Sequence, residues 1–227
     1  VKVVGLKKIK YIFYSGGYDS TSYLLECLVK NKLIVQPLVV ITSYIDGTED
    51  RMRPSFFHEK ISRENFYRKF KSTYPKLKDN LLPEITINDV TLDEETKEIG
   101  VEGYNEGLFT RKTNQLLYFH QVCKNEGYDK VSITYQKDDP FSGRIRKYIN
   151  KDNPPKSMGW AKHLEFPLID KTKKNILEES IENGYEQFLY ETWSCWYPNE
   201  DNQPCGKCAL CEITIVETTL EIPKTII

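Results

Sequence analysis

The chain has 227 residues, and 32 Lys and Arg against 33 Asp and Glu leave a formal net charge of -1. That length can bury one sizeable core, or one core with a small appendage, and the balanced charge gives no overall pull toward nucleic acid or a membrane surface. No apolar run reaches the length of a bilayer span and the start does not read as a secretion signal, so a cytoplasmic protein without a membrane partner is expected.

The first legible element is an apolar run, Tyr11-Ile12-Phe13, ending at Tyr14-Ser15-Gly16-Gly17-Tyr18-Asp19-Ser20-Thr21. Leu24, Leu25 and Leu28 then recur on one helical face. Strand, Gly-rich turn and helix start turn several backbone N–H groups toward one point, at the positive end of the helix dipole. Gly16 and Gly17 permit close approach and positive φ, and Ser15, Ser20 and Thr21 add hydroxyl donors for phosphate oxygens. Asp19 is the odd member, since a carboxylate beside phosphates needs a cation or a loop-bracing hydrogen bond. A plainer reading, in which Asp19 or Ser20 only caps the helix, stands beside it. No Lys follows the glycines, so the loop is not a Walker A motif.

Ile34 to Thr42 is β-branched and reads as a second parallel strand, completing a βαβ unit. Residues 43–53 read as a polar loop. A helical pattern runs from Pro54 to about Lys71, and its Arg63, Arg68, Lys69 and Lys71 form either an RNA-contacting or a solvated face. Residues 72–110 are the least legible, with a short strand at Ile85-Thr86-Ile87 and an exposed acidic stretch from Asp93 to Glu98. Thr113 to Lys124 reads as a helix, Val131 to Tyr135 as a strand, and Asp138-Asp139-Pro140 as a polar loop. Residues 140–160 look like a mobile basic excursion that either folds over a triphosphate or is solvated. Glu165 to Ile169 is a last short strand, and Thr172 caps a helix to about Asn183.

This alternation predicts an α/β fold, an open parallel sheet with helices on both faces. Its ligand would sit beyond the carboxyl ends of the strands, where Ser15, Asp139 and the loop after Ile169 converge. Two divisions are expected: a nucleotide-binding domain over 1–190, and a C-terminal segment over 191–227 packed on it.

Cys27 and Cys123 lie alone in helical patterns and read as small buried hydrophobes. The other four, Cys195, Cys205, Cys208 and Cys211, crowd into C-x9-C-x2-C-x2-C. In a chain without a secretion signal such a cluster favours a metal over disulfides. Four thiolates can close a tetrahedron around structural Zn²⁺ and leave no open position. An iron–sulfur cluster could use the same ligands.

The Ser15-Gly16-Gly17-Tyr18-Asp19-Ser20 string resembles the Ser-Gly-Gly-x-Asp-Ser signature of the PP-loop ATP pyrophosphatases. With the Ser194-Cys195-aromatic and Cys205-Gly206-x-Cys208-x-x-Cys211 tail, the chain resembles the 7-cyano-7-deazaguanine synthase family, QueC. Pro167-Leu168-Ile169-Asp170-x-Thr172-Lys173 is similar to that family's Pro-Leu-x-x-x-Thr-Lys segment, and Gly127 to Asp139 to its strand and acidic loop. The resemblance implies an adenine nucleotide alpha-hydrolase-like, Rossmann-like fold and an ATP-dependent ligase. In this reaction 7-carboxy-7-deazaguanine is adenylated, taken by ammonia to an amide, and converted with a second ATP to the nitrile.

It implies further that Ser15, Gly16, Gly17, Asp19, Ser20 and Thr21 bind ATP with Mg²⁺, and that Lys173 sits over the phosphates. Asp139 would face the purine edge or help activate ammonia, and Arg111 and Asn114 would contact the acceptor. A homodimer is compatible with the family, and nucleic-acid contact is disfavoured but left open. The chain also departs from the family pattern. Tyr44-Ile45-Asp46 stands where the family has Tyr-Gly-Gln, the arginine before Asn114 is displaced to Arg111, and the Tyr-Pro-Asp after the acidic loop is missing. An alternative is therefore a QueC-like adenylating enzyme with another acceptor, a protein carboxylate or a tRNA base, in antiviral defence or viral nucleic-acid modification.

Overall fold

The computed structural model describes residues 8–41, 54–109, 115–139, 141–149, 151 and 154–212. β1 (Ile9–Phe13) and β2 (Ile34–Val40) pair in parallel, with Ile9 opposite Ile34 and Phe13 opposite Leu38. β3 (Ile85–Ile87), β4 (Val131–Ser132) and β5 (Leu164–Glu165) complete a five-stranded parallel sheet of order β3-β2-β1-β4-β5. The expected α/β class is therefore the observed one.

The last two strands are shorter than the sequence indicates. Ile133 N–H still reaches the Glu165 carbonyl at 2.9 Å, but beyond it the chain turns, with Ile169 N–H bonded to the Phe166 carbonyl and Lys171 N–H to that of Leu168. Pro167 lacks the N–H a longer ladder would need.

The chain divides into two compact units. The first comprises residues 8–39, 54–85 and 173–212 of those described. It carries α1 (Tyr18–Leu25), which continues as a π-helical turn over Glu26–Lys30, then α2 (Phe56–Thr73) and a 3-10 turn over Pro75–Asn80. The helix here numbered α6 (Lys173–Glu182) and a 3-10 turn over Glu186–Glu191 follow late in the chain. Leu24, Leu25, Leu28, Phe70, Ile176 and Leu189 are buried in this unit. Tyr14, Phe66 and Phe188 meet edge-on, with Phe66 about equally far from both, at 5.5 and 5.7 Å between centroids. Such aromatic pairs add to simple area burial. Cys27 is buried as expected, and burial pushes its thiol up to about 11.

The buried face of α2 carries Glu59, Ser62, Arg63, Phe66 and Phe70. An RNA-contacting face is therefore not built from all four basic residues read in the sequence. Arg63 is buried against Glu84, its Nε 3.2 Å from Oε2, and Lys69 pairs with Glu191 at 2.6 Å.

The second unit holds the described residues from 40 to 172 that the first does not. It contains α3 (Glu94–Asn105), α4 (Gln115–Glu126), α5 (Ser142–Ile149) and a 3-10 turn over Lys156–His163. Leu116, Leu117, Val122, Ile145 and Trp160 are its core, with Cys123 among them, its thiol pushed up to about 12 by burial. The acidic stretch after Asp93 forms the first turns of α3, with Glu94, Glu95 and Glu98 exposed as expected. Asp93 Oδ1 accepts the Thr96 N–H at 2.9 Å as N-cap, and Glu94 and Glu95 sit favourably in the first turn.

The basic excursion expected over 140–160 is likewise helical in part. Arg144 Nη1 donates to the Leu108 carbonyl at 2.9 Å, Arg146 Nη1 to the Ile169 carbonyl at 2.8 Å, and Lys156 pairs with Glu98 and Glu102. Their charges are spent on bracing the second unit.

Candidate active site and metal centre

The turn between β1 and α1 is built from both sides. Gly16 has φ +83, and a Cβ there would lie 2.8 Å from both Arg63 Cγ and the Glu59 carbonyl oxygen. Only glycine meets both demands. Gly17 donates to Ser15 Oγ at 3.1 Å, and its carbonyl accepts the Thr21 N–H at 3.0 Å and Ser20 Oγ at 3.2 Å. Ser15 Oγ lies 3.1 Å from Ser20 Oγ, and Thr21 Oγ1 lies 3.3 Å from the Tyr14 hydroxyl. Among the described residues no side chain of the N-cap residue caps α1. That N-cap residue is Gly17, which has no side chain to offer, and a helix start is a place where backbone N–H groups can meet an anion.

Two segments far away in sequence hold this turn. Ser62 Oγ donates to the Gly16 carbonyl at 2.7 Å, and Arg63 Nη1 to the Ser15 carbonyl at 3.4 Å. From the other side Trp193 N–H donates to the Gly16 carbonyl at 3.3 Å, and Tyr18 N–H donates to Ser194 Oγ at 3.4 Å. The Trp193 carbonyl oxygen would be 3.3 Å from a Cβ on Gly17. His58 stacks on the Trp193 ring at 4.2 Å and is buried with both ring nitrogens unpartnered. Sequence reasoning missed Ser62, Arg63 and Trp193 as parts of this site. A signal for the first two existed, because residues 59, 62, 63, 66 and 70 fall on one helical stripe.

Asp19 and Lys173 meet directly, with Nζ 2.9 Å from Oδ1 and the ammonium 4.7 Å from the centre of the Tyr18 ring. Lys173 is 1 % exposed. A buried ammonium needs such a partner. Asp139 belongs to the second unit, where its Oδ1 accepts the Phe141 N–H at 2.8 Å and its carbonyl the Ser142 N–H at 2.9 Å at the start of α5. Arg111 and Asn114, expected at the acceptor, lie outside the described residues, as does Tyr44-Ile45-Asp46.

Cys195, Cys205, Cys208 and Cys211 come together, all four sulfurs within 4.8 Å of one another. Gly206 at φ +70 makes the knuckle turn. Cys205 N–H points at Cys195 Sγ (3.2 Å) and Cys208 N–H at Cys205 Sγ (3.3 Å). Burial opposes ionisation of Cys205, yet the N–H groups of Lys207 and Cys208 and the neighbouring thiols draw it down to about 7. Burial pushes Cys195 and Cys211 up.

The donor set suits one ion. Four bonds of ~2.3 Å to a tetrahedral centre place sulfurs ~3.8 Å apart, and Cys205 and Cys211 stand at 4.0 Å. A cubane, with its irons on separate corners, spreads its cysteines farther apart. Trp193 packs in the same buried cluster as Cys195, Cys208 and Cys211, and its Nε1 donates to the Cys195 carbonyl at 2.7 Å. One residue therefore touches both the cysteine centre and the glycine turn.

Fold and site together define a class: a parallel α/β protein with a glycine-rich turn after its first strand and a cluster of four cysteines. The family profile described as queuosine biosynthesis protein QueC matches residues 70–215, well over half of the chain, and the chain belongs to that family. That match begins after residues 15–21, so the turn stands on its own geometry.

Among curated relatives, the chain is similar to the 7-cyano-7-deazaguanine synthase of Rickettsia felis, at 31 % identity over 71 residues, 31 % of each chain. It is 38 % identical over 52 residues to that of Rickettsia canadensis, covering 23 % of this chain and 22 % of the relative. The matched stretches span less than a third of these relatives' length. Among solved structures, the U34-tRNA thiolase NcsA from Methanococcus maripaludis with its 4Fe-4S cluster aligns at a TM-score of 0.39 and 15 % identity. That alignment covers 99 % of this chain and 86 % of that one. No helix among the described residues is long and apolar enough to cross a membrane.

Proposed function

We propose that this protein is an ATP-dependent carbon–nitrogen ligase that converts 7-carboxy-7-deazaguanine and ammonia to 7-cyano-7-deazaguanine. The observation that carries the reading is the turn at residues 15–21, with its glycine-capped helix start and the Asp19–Lys173 pair, in a chain of the QueC family. In the proposed reaction a carboxylate oxygen attacks the α-phosphorus of ATP and pyrophosphate leaves. Ammonia attacks the acyl carbon, AMP leaves, and an amide remains. The amide oxygen attacks a second ATP at its α-phosphorus, pyrophosphate leaves, and loss of AMP with the amide protons yields the nitrile.

The physical demand at each adenylation is stabilisation of the departing pyrophosphate. The N–H groups at Gly16 and Gly17 and the hydroxyls of Ser15, Ser20 and Thr21 would meet it. Lys173 would move from Asp19 onto a phosphate oxygen, releasing the Asp19 carboxylate to hold Mg²⁺. Arg111, Asn114 and Asp139 are assigned to acceptor handling by resemblance to the family. Cys195, Cys205, Cys208 and Cys211 would hold Zn²⁺ in a closed site whose chemistry is structural.

Incubation with ATP, Mg²⁺, ammonia and 7-carboxy-7-deazaguanine, followed by mass spectrometry, tests the assignment. The nitrile is expected, with two AMP formed per nitrile. Unconsumed acid would overturn the acceptor assignment. A second reading keeps adenylation and changes the acceptor to a protein carboxylate or a tRNA base. It is favoured by the departures at Tyr44-Ile45-Asp46 and Arg111, and AMP formation only with such an acceptor would support it.

A further inference from the structure

Arg63 reaches the glycine turn from α2, and the atoms it meets there define a role beyond packing. Its side chain is 4 % exposed, so its charge is almost wholly withdrawn from water. Nη1 donates to the Ser15 carbonyl at 3.4 Å, and Cγ lies within 2.8 Å of where a Cβ on Gly16 would stand. Nε donates to Glu84 Oε2 at 3.2 Å. One end of the guanidinium therefore serves the turn and the other serves a carboxylate.

The Ser15 carbonyl and the Gly16 N–H belong to one peptide unit. A charged donor on that oxygen draws electron density from the N–H, which becomes a stronger donor in turn. Among the described residues the Gly16 N–H has no hydrogen-bond partner. The next peptide is polarised in the same sense, since the Gly16 carbonyl takes Ser62 Oγ at 2.7 Å and the Trp193 N–H at 3.3 Å, but by neutral donors. Arg63 alone brings a full charge to the back of the turn.

Glu84 sets how much of that charge the turn feels. Its Oε2 also accepts the Tyr67 hydroxyl at 2.9 Å, so two donors fix the carboxylate. It stands on the wall of a cleft of about 340 Å³ that Lys60 and Leu82 also line, with 26 % of its side chain exposed. The cation bonds to the turn itself, whereas the anion bonds to the cation and to Tyr67. The pair thus leaves a positive potential at the turn, smaller than an unpaired Arg63 would produce. Pyrophosphate has to be held while it forms and then let go, and release is often the slow step. We propose that Arg63 is a positioning residue that strengthens the Gly16 N–H as a phosphate donor, and that Glu84 limits its charge so that pyrophosphate can leave. Both act through the peptide of the turn, not on the reacting atoms. This inference rests on the reading of the turn as a phosphate site.

Calorimetric titration of the full chain with inorganic pyrophosphate and Mg²⁺, and with adenosine as an uncharged control, tests it. Glu84→Gln keeps an oxygen for Arg63 and Tyr67 while removing the charge. It is expected to bind pyrophosphate roughly threefold to tenfold more tightly, to bind adenosine as before, and to melt earlier because a buried cation loses its partner. A Glu84 that only braced the fold would give the opposite sign, since a displaced Arg63 loosens the turn. Arg63→Met combined with Glu84→Gln strands no charge and serves where the single variant unfolds. That pair should bind pyrophosphate roughly tenfold more weakly than the wild type. Affinity unchanged or lowered in folded Glu84→Gln, or undiminished in the double variant, would overturn the proposal. The wild type separates the two readings. No pyrophosphate binding there sinks the phosphate site and this inference with it, whereas wild-type binding without a gain in Glu84→Gln sinks this inference alone.

Discussion

Lys173 Nζ lies 2.9 Å from Asp19 Oδ1, joining the start of α6 to the first turn of α1, and the lysine is 1 % exposed. The carboxylate that the glycine turn seemed not to need is the counter-charge of a buried ammonium. Removing it alone leaves that charge unpaired, at a cost of about 3–5 kcal/mol. Asp19→Ala is therefore expected to lower the melting temperature as well as abolish pyrophosphate release. The double variant Asp19→Asn with Lys173→Met should recover most of the melting temperature and none of the turnover. Additive melting losses across that cycle would show that the two residues do not interact.

Gly16 carries a second expectation. Alanine there meets positive φ and contacts at 2.8 Å with Arg63 Cγ and the Glu59 carbonyl oxygen. The helix backbone cannot give way as a side-chain tip can. Gly16→Ala should cost about 1–3 kcal/mol of stability and weaken nucleotide binding. Thermal melting and titration with a fluorescent ATP analogue measure the two effects, and wild-type behaviour in both would contradict the geometry described.

For the cysteine centre, one metal ion per chain is expected by elemental measurement, lost in Cys208→Ser together with thermal stability, since binding energy here is folding energy. Trp193 adds a distinct consequence. It packs among the cysteines and also donates to the Gly16 carbonyl. Chelation should weaken ATP-analogue binding at temperatures where the far-ultraviolet circular dichroism is unchanged. Metal loss that leaves nucleotide affinity untouched would show that the strap does not hold the turn.

His120 and His163 face each other in the second unit with ring centroids 5.5 Å apart, and the Nδ1 of each is buried without a partner. Burial, first of all, lowers both from the ordinary 6.5. The His163 ring lowers His120 further, with Lys124 adding to it and Glu95 and Asp93 opposing, while Lys162, Lys130 and Lys124 lower His163 and Asp129 opposes. With folded values depressed, the unfolded chain binds the extra protons, so stability is full above about 6.5 and falls as pH drops below it. Melting temperature should decline between pH 7 and pH 5 in the wild type, and His120→Phe should flatten that slope. Asp93, held low by Lys124 and the Thr96 N–H, contributes only at more acid pH, so it cannot mimic the effect.

Much of the ligand-bearing sequence was legible. Short-range rules found the glycine turn, the four-cysteine cluster and the first βαβ unit, because each is encoded within a dozen or so residues. The misreadings share one cause. Arg63 and Lys69 have the sequence signature of a solvated face until Glu84 and Glu191 arrive from distant segments. Asp93 to Glu98 was legible only as an exposed acidic stretch, because the Asp93 cap and its Lys124 partner act together only once α4 packs beside it. In the loop after β4, two adjacent aspartates are equivalent on paper, and only the structure gives one of them to the start of α5.

The sequence by itself determined the kind of chemistry: glycines, hydroxyls and a carboxylate at a strand–helix junction, and thiolates at metal spacing. Those depend on local backbone geometry, which neighbouring residues set. Tertiary structure alone decided which charges are neutralised, which polar atoms stay empty, and that Trp193 links the cysteines to the turn. These are properties of desolvation, and a side chain loses its water only to whatever the fold brings against it.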